Sequence, residues 1–279
     1  KAEEKYTRLQ SNASRFGVKG EDELTANLSA VYGIEWEVAA EGDDISGVAA
    51  GNKLDLTQRN RFLGIKSQQL GTVKLGKYDS YTKLAQGEID LFNDYLGDMK
   101  YIIAGENRLN NVIGYESPKL MDALTVNVMA QTQDTAAAPK NGTSASVVYN
   151  NEEMGLYAAL AMDNNVNGST ALSGTRQSDT IRLVGSYKVA DLTLNAIYQT
   201  SEDAAAATGA NKNKETAWQL GAAYKIADET LKVQFGEAKA DNSAAATQKH
   251  TQWSVGADHN FTSKTKAFVW YTTQKEDKL

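Results

Sequence analysis

The chain has 279 residues, no cysteine, two prolines and a formal net charge of −6. These numbers exclude a disulfide framework or thiolate metal site. They also argue against a general nucleic-acid binder, which needs a basic surface to neutralise phosphates. The apolar stretch Leu156–Met162 is far shorter than the ~20 residues of a membrane-spanning helix, and mean hydropathy is −0.48. Lys1–Glu4 does not read as a secretion leader, so any leader is expected to have been removed or left out of this sequence.

In chain order, the first clear signal is strict alternation from Leu24 to Val38. Even positions carry Leu, Ala, Tyr, Ile, Trp and Val, while odd positions are mostly small, polar or acidic. A strand has a side-chain period of two, so this is one strand with an oily face and a wet face. The pattern returns at Leu124–Gln131, Ile181–Val189, Leu192–Gln199, Trp218–Ile226, Leu231–Gly236 and Trp253–Phe261. Fourteen strands are expected, at roughly 7–20, 24–39, 57–66, 71–77, 108–116, 122–132, 143–151, 154–163, 178–188, 191–200, 213–226, 230–239, 250–261 and 265–275. Many match the ~9–11 residues a tilted strand needs to cross a bilayer, and aromatic residues fall near their ends.

Connections alternate in length. Short polar turns are expected at Glu21–Glu23, Ser67–Gln69, Pro118–Asp122, Asn151–Glu153, Val189–Asp191, Ala227–Glu229 and Thr262–Lys264. Between them lie longer loops at Ala40–Leu56, Tyr78–Asn107, Thr132–Gly142, Asp163–Gln177, Ser201–Lys212 and Ala240–Lys249. The Ala/Thr-rich pieces at Ala136–Ala138, Ala204–Ala207 and Ala244–Ala246 read as exposed loop segments. The whole describes an all-β, antiparallel transmembrane β-barrel over residues 1–279, one domain with no internal boundary.

The loop at about 78–107 differs from the others. It mixes Leu84, Ile89, Leu91, Phe92, Tyr95, Leu96, Ile102 and Ile103 with Glu88, Asp90, Asp94, Asp98 and Glu106. A long loop with its own apolar set packs on something. The expectation is a loop folded into the barrel, apolar side on the wall and acids toward the lumen, with a short helix from Glu88 to Tyr95. The alternative is a surface lid with solvated acids.

Four segments in series resemble the Gram-negative general diffusion porins. They are Ser14-Arg15-Phe16-Gly17-Val18-Lys19-Gly20-Glu21-Asp22, Arg59-Asn60-Arg61-Phe62-Leu63-Gly64-Ile65-Lys66, Gly71-Thr72-Val73-Lys74-Leu75-Gly76-Lys77 and Arg108 to Pro118. The resemblance implies sixteen strands, of which about fourteen are recognisable here, and a third loop that narrows the pore. It further implies a homotrimer set in outer-membrane lipid and lipopolysaccharide, passing ions and small hydrophilic solutes, without cofactor or metal. By motif position Arg15, Arg59, Lys77 and Arg108 match that family's basic ladder, facing loop acids Glu88, Asp90, Asp94 and Asp98. Parity supports Arg15, which is opposite Phe16 and Val18, and Arg108, which is opposite Ile113 and Tyr115. The lesser alternative for Arg15, Arg59 and Arg108 is a set of ion pairs that pin the loop to the wall, and both roles can coexist. The pattern departs at both termini, where the family's first and last strands are not recognisable, and at Lys77, where Arg is more usual. The net charge, with Glu35 and Glu37, points to a slight cation preference.

Other functions compete. A hydrolase needs a nucleophile beside a general base, but His250 and His259 are an odd nine residues apart on one strand and face opposite ways. A soluble or surface β-rich adhesin also alternates, and a substrate-specific channel would share the fold. Detergent dependence discriminates: the polypeptide should extract only in detergent and run as a heat-modifiable oligomer in electrophoresis. Monodisperse behaviour in plain buffer would exclude the barrel.

Overall fold

A computed structural model of the chain describes residues 11–38, 56–132, 141–170, 174–204, 212–241 and 247–278. Strands account for most of it. They are β1 (Arg15–Thr25), β2 (Leu28–Val38), β3 (Leu56–Ser67), β4 (Gly71–Asp79), β5 (Arg108–Glu116), β6 (Leu124–Gln131) and β7 (Gly142–Asn151), then β8 (Leu156–Thr170), β9 (Gly174–Val189), β10 (Leu192–Asp203), β11 (Lys214–Ile226), β12 (Glu229–Asp241), β13 (Gln248–Asn260) and β14 (Lys266–Lys278). Each pairs antiparallel with the next, giving one fourteen-stranded sheet in sequence order.

The alternating residues divide between two environments. Leu183 is 56% exposed and its neighbour Arg182 is 0%; Tyr198 is 50% exposed and Gln199 is 0%. Along β12 and β13, Leu231, Val233, Phe235, Trp253 and Val255 are exposed, whereas Gln234, Gln252 and Ser254 are buried. This inverts a water-soluble protein, in which apolar side chains fill the interior. An apolar outer face and a polar inner face suit a sheet wrapped around water with lipid outside.

The sheet curls until its two edges approach. Asp94, in the loop after β4, forms an ion pair with Arg15 on β1. Two residues on, the Leu96 carbonyl accepts a hydrogen bond from Gln274 Nε2 on β14 at 3.1 Å. No backbone pairing joins β1 to β14 among the described residues.

Three expectations change. The first turn is Ala26-Asn27, not Glu21–Glu23. The acids remain in β1, opposite Val31, Ala30 and Ser29, and the two-residue connection makes a tight hairpin. Residues expected as a loop at 163–177 mostly extend β8 and β9, because polar residues can continue a paired strand beyond the bilayer into water. Asn165, at φ 53°, takes up the register shift there, and its N–H donates to Asp179 Oδ1 at 2.7 Å. Finally, the stretch from Glu88 to Tyr95 is a run of turns; the helix (α1) is Tyr81–Leu84, followed by a 3-10 turn at Met99–Tyr101. The cause is local: Asp94 adopts φ 69°, while Ser80 caps α1 by accepting from Lys83 N–H at 3.1 Å. The loop expected at 40–56 and the Ala/Thr-rich pieces fall almost wholly outside the described residues, as do positions 7–10 of the first expected strand.

Long connections lie at one end of the sheet, and the turns at 26–27, 68–70, 190–191 and 227–228 at the other. Val233→Lys, central on the outward face, should cost about 2–4 kcal/mol of folding free energy in lipid vesicles, and Thr216→Lys at the rim about 0–1. Equal costs in urea titrations of the two variants would show that this face does not meet lipid.

Candidate functional site

The inner loop begins with a backbone device. Gly76 has φ +143°, and a Cβ there would stand 2.2 Å from the Arg61 carbonyl oxygen. Only glycine takes this conformation without strain. The register of β4 against β5 shifts between Gly76 and Tyr78, and such a bulge re-aims the side chains that follow. Tyr78, Asp79, Ser80 and Tyr81 are consequently all buried. Tyr78 meets Phe62 and Tyr81 edge-on, with ring centroids 6.2 and 6.5 Å apart.

From there the loop crosses the inner wall. Ala85, Ile89, Met99, Ile102 and Ile103 pack on Ala159, Ala161, Val184, Ile197, Ala217 and Ala238. The predominantly small wall residues give the loop room, and Gly236 shows how tightly: a Cβ there would lie 2.6 Å from Ile102 Cδ1. Irregular backbone has many polar groups without ladder partners, and wall side chains take them. Asn195 Nδ2 donates to Ile89 O at 3.1 Å, Gln199 Nε2 to Ala104 O at 2.8 Å, and Gln234 Nε2 to Gly97 O at 3.2 Å. Gln252 Nε2 also donates to Gly97 O, at 2.5 Å. On the far wall Thr82 Oγ1 donates to Asp163 Oδ1 at 2.6 Å.

Arg182 is the strongest tether. Its fully buried guanidinium donates to Gln199 Oε1 (2.7 Å), Glu106 Oε1 (2.9 Å), Thr82 O (3.2 Å) and Ala104 O (2.7 Å). Burial pushes the Glu106 carboxyl upward, and the Arg182 charge opposes that shift. A pair this desolvated is costly to break from one side.

A second cluster lies on β1 to β5. Arg15 pairs with Asp94 of the loop. Arg59 reaches Glu35 and Glu37 on β2, each at 2.6 Å. Arg108 Nε lies 2.7 Å from Asn60 Oδ1 and 3.1 Å from Asp79 Oδ1, and Asn60 in turn donates to Asp79 at 3.1 Å. Lys77 stands opposite Arg61 across β3 and β4, with no carboxylate within ion-pair distance among the described residues. Thus three of the four expected cations are ion-paired, but only Arg15 meets the loop acid expected of it.

The expected loop acids divide. Asp94 is on the open side. Glu88 is exposed beside a cavity of 760 Å³ that Lys188 and Asn195 also line. Asp90 and Asp98 are buried, at 7% and 2% exposure, within the loop itself. Asp90 accepts from the N–H groups of Phe92 (3.1 Å) and Met99 (2.9 Å), and from Gln234 (3.0 Å). Asp98 accepts from the N–H groups of Asp94 (2.9 Å) and Lys100 (2.8 Å). They shape the loop instead of facing open lumen, because their carboxylates are the nearest acceptors for its turns. Burial, with Asp98 alongside, pushes the Asp90 carboxyl to about 7. Sequence reasoning missed Asp79, Arg182 and the Asn/Gln row. The only signal was their place on the polar side of each strand, shared with many residues that do nothing comparable.

Comparison with known proteins agrees with this architecture. The family model described as "Gram-negative porin" matches residues 1–279. The major outer membrane protein P.IB of Neisseria meningitidis serogroup B is 27% identical over 269 residues, covering 92% of this chain and 75% of that protein. P.IB of Neisseria sicca is 23% identical over 302 residues, covering 98% and 81%. Among solved structures, an anion-selective porin from Comamonas acidovorans superposes with TM-score 0.73 at 22% identity, covering 95% of this chain and 80% of that one. A loop-deletion mutant of the Vibrio cholerae outer membrane protein OmpT gives 0.75 at 16%, covering 99% and 89%. An inverted sheet, an internal loop tethered to its wall and a family match along the entire chain lead to one assignment: this chain belongs to the Gram-negative porins and forms an outer-membrane diffusion channel for small solutes.

Proposed function

We propose that the passage narrows between the inner loop and the wall of β1 to β5, and that charges there select among solutes. The observation that carries this reading is the Arg15–Asp94 pair, which brings the middle of the loop across to β1, whereas its start packs on β3, β5 and β7 and the rest mainly on β8 to β14. Arg15, Arg59 and Arg108 supply cations, and Asp94, Glu35, Glu37 and Asp79 supply carboxylates; Lys77 shares its cross-strand row with Arg61, next to the outward Leu63–Leu75 pair, and stands apart from this ring. Ions and small hydrophilic solutes keep their hydrogen bonding in such a polar passage, whereas apolar solutes must displace ordered water. Positive and negative groups nearly balance here, three against four, so this ring sets only a mild preference. The net charge of the whole chain, spread over distant loops and rims, is a poor guide to it.

We further propose that the channel is a homotrimer, a state consistent with the family; a trimer form of Vibrio cholerae OmpT is among the structural neighbours. The reading includes no enzymatic step. On β13, His250 lies 3.8 Å from Glu276, and His259 lies 2.5 Å from Glu229 on β12, and the two histidines occupy opposite faces.

Asp94→Asn should shift the reversal potential in planar bilayers toward anions. Arg15→Gln should shift it toward cations. Unchanged selectivity in both would remove this pair from the constriction. Arg182→Gln should release part of the loop, weakening its docking by about 3–5 kcal/mol. Larger sugars would then enter in liposome-swelling assays, and single-channel current would become noisier. An unchanged size limit would mean that the loop stays docked without that arginine.

A further inference from the structure

We infer that the cavity between the inner loop and the wall of β7 to β11, at the short-turn end, binds a small zwitterionic solute whose ammonium and carboxylate are separated by a few carbon atoms. The inference rests on the channel reading and adds a second solute station, away from the charges around Arg15. Wall and loop each supply half of it.

The wall half is cationic and hydroxylic. Lys188 shares strand parity with Arg182 and Val184, both buried beneath the loop, so it stands on the inner face. Its direct cross-strand partner is Thr193, and the next pair on that face is Ser186 and Asn195. All four line the 760 Å³ cavity. Asn195 is committed to the loop, its Nδ2 donating to Ile89 O at 3.1 Å. An ammonium and two hydroxyls are left, and these are the donors that a carboxylate accepts from. Lys188 lies one residue from the end of β9 and Thr193 one from the start of β10. Short turns face the periplasm in this architecture, so a solute that has passed the loop would pause here before release.

The loop half is acidic. Gly87 has φ +57°, and a Cβ there would lie 3.0 Å from Tyr157 Cζ, so the backbone turns close over that ring. Tyr157 in turn donates to Ala85 O at 2.8 Å. Glu88 is thus held between two fixed neighbours, Gly87 on the ring and Ile89 on Asn195, and it is exposed where it lines the cavity. Glu152, on the turn after β7, lines the same space. Among the described residues, neither of these carboxylates nor the Lys188 ammonium has an opposite charge within ion-pair distance. Fixed charges of both signs that share a cavity without touching leave room for a solute that bridges them. A plain anion would meet two carboxylates and a plain cation would meet Lys188, whereas a zwitterion satisfies both signs. The lining also includes Tyr157, Leu91 and Ala223, apolar surface that suits a short methylene chain.

The test is equilibrium dialysis of the full chain in detergent micelles against radiolabelled γ-aminobutyrate, with butyrate and n-butylammonium as controls that each lack one charge. Wild type should bind the zwitterion saturably and each control about tenfold more weakly. Glu88→Gln and Lys188→Gln should each weaken binding of the zwitterion about tenfold. Equal retention of the zwitterion and its controls, or wild-type retention by both variants, would overturn the site. Heat-modifiable mobility in electrophoresis checks that the variants fold. Should a charge variant fail to fold, Ala223→Leu narrows the cavity with both charges in place and should weaken binding about threefold; unchanged binding there would equally overturn the site. Dialysis does not depend on conduction. A wild-type chain that conducts in planar bilayers but shows no saturable binding refutes the site and leaves the channel, and one that binds but conducts nothing refutes the channel and leaves the site.

Discussion

No water reaches the hydrocarbon layer to accept an unpaired N–H or donate to an unpaired C=O, so protein must pair every backbone group at that depth. This constraint explains why the described chain is mostly strand, why each strand lies beside its sequence neighbour, and why prolines number only two. It also explains the amide row on the inner wall. The loop from Tyr78 to Asn107 has little regular structure, yet Asn195, Gln199, Gln234 and Gln252 receive its carbonyls. A polar inner wall therefore serves twice, wetting the passage and supplying the pairing that the loop lacks.

Tethering decides where the charges of the loop stand. Arg182 and Glu106 anchor the loop on one side, while Tyr95 leans on Phe268 of β14 at 4.7 Å on the other. Between these anchors the loop turns sharply at Asp94 and brings its carboxylate to Arg15. Asp90 and Asp98 act inside the turn, gathering N–H groups that would otherwise face a dry interior. The buried acids hold the shape, and the acid left on the open side meets the wall.

The outer face follows different physics. Its interactions are with a fluid, so it needs apolar area and a belt of rings more than precise fit. Ala158, Gly185 and Ala196 leave a hollow that a water-soluble protein would have filled.

Much of the fold was legible in the sequence because the period of two is imposed locally, one residue at a time, and survives in any sheet. The alternation from Ile181 to Val189 gave the strand, its outward Leu183 and its inward Arg182 before any coordinates. The porin-like segments around Arg15, Arg59, Lys77 and Arg108 pointed to the family. What the sequence could not fix were features that depend on distant partners. The first hairpin lies at Ala26-Asn27 because register with β2 outweighs the turn-like look of three consecutive acids. Arg182 and Asp79 matter because strands and a loop remote in sequence converge on them, and nothing in their neighbours announces it. Likewise four loop acids look alike in one dimension; folding buries two and leaves Asp94 against Arg15. Periodicity is a property of the chain, but burial and pairing are properties of how distant segments meet in space.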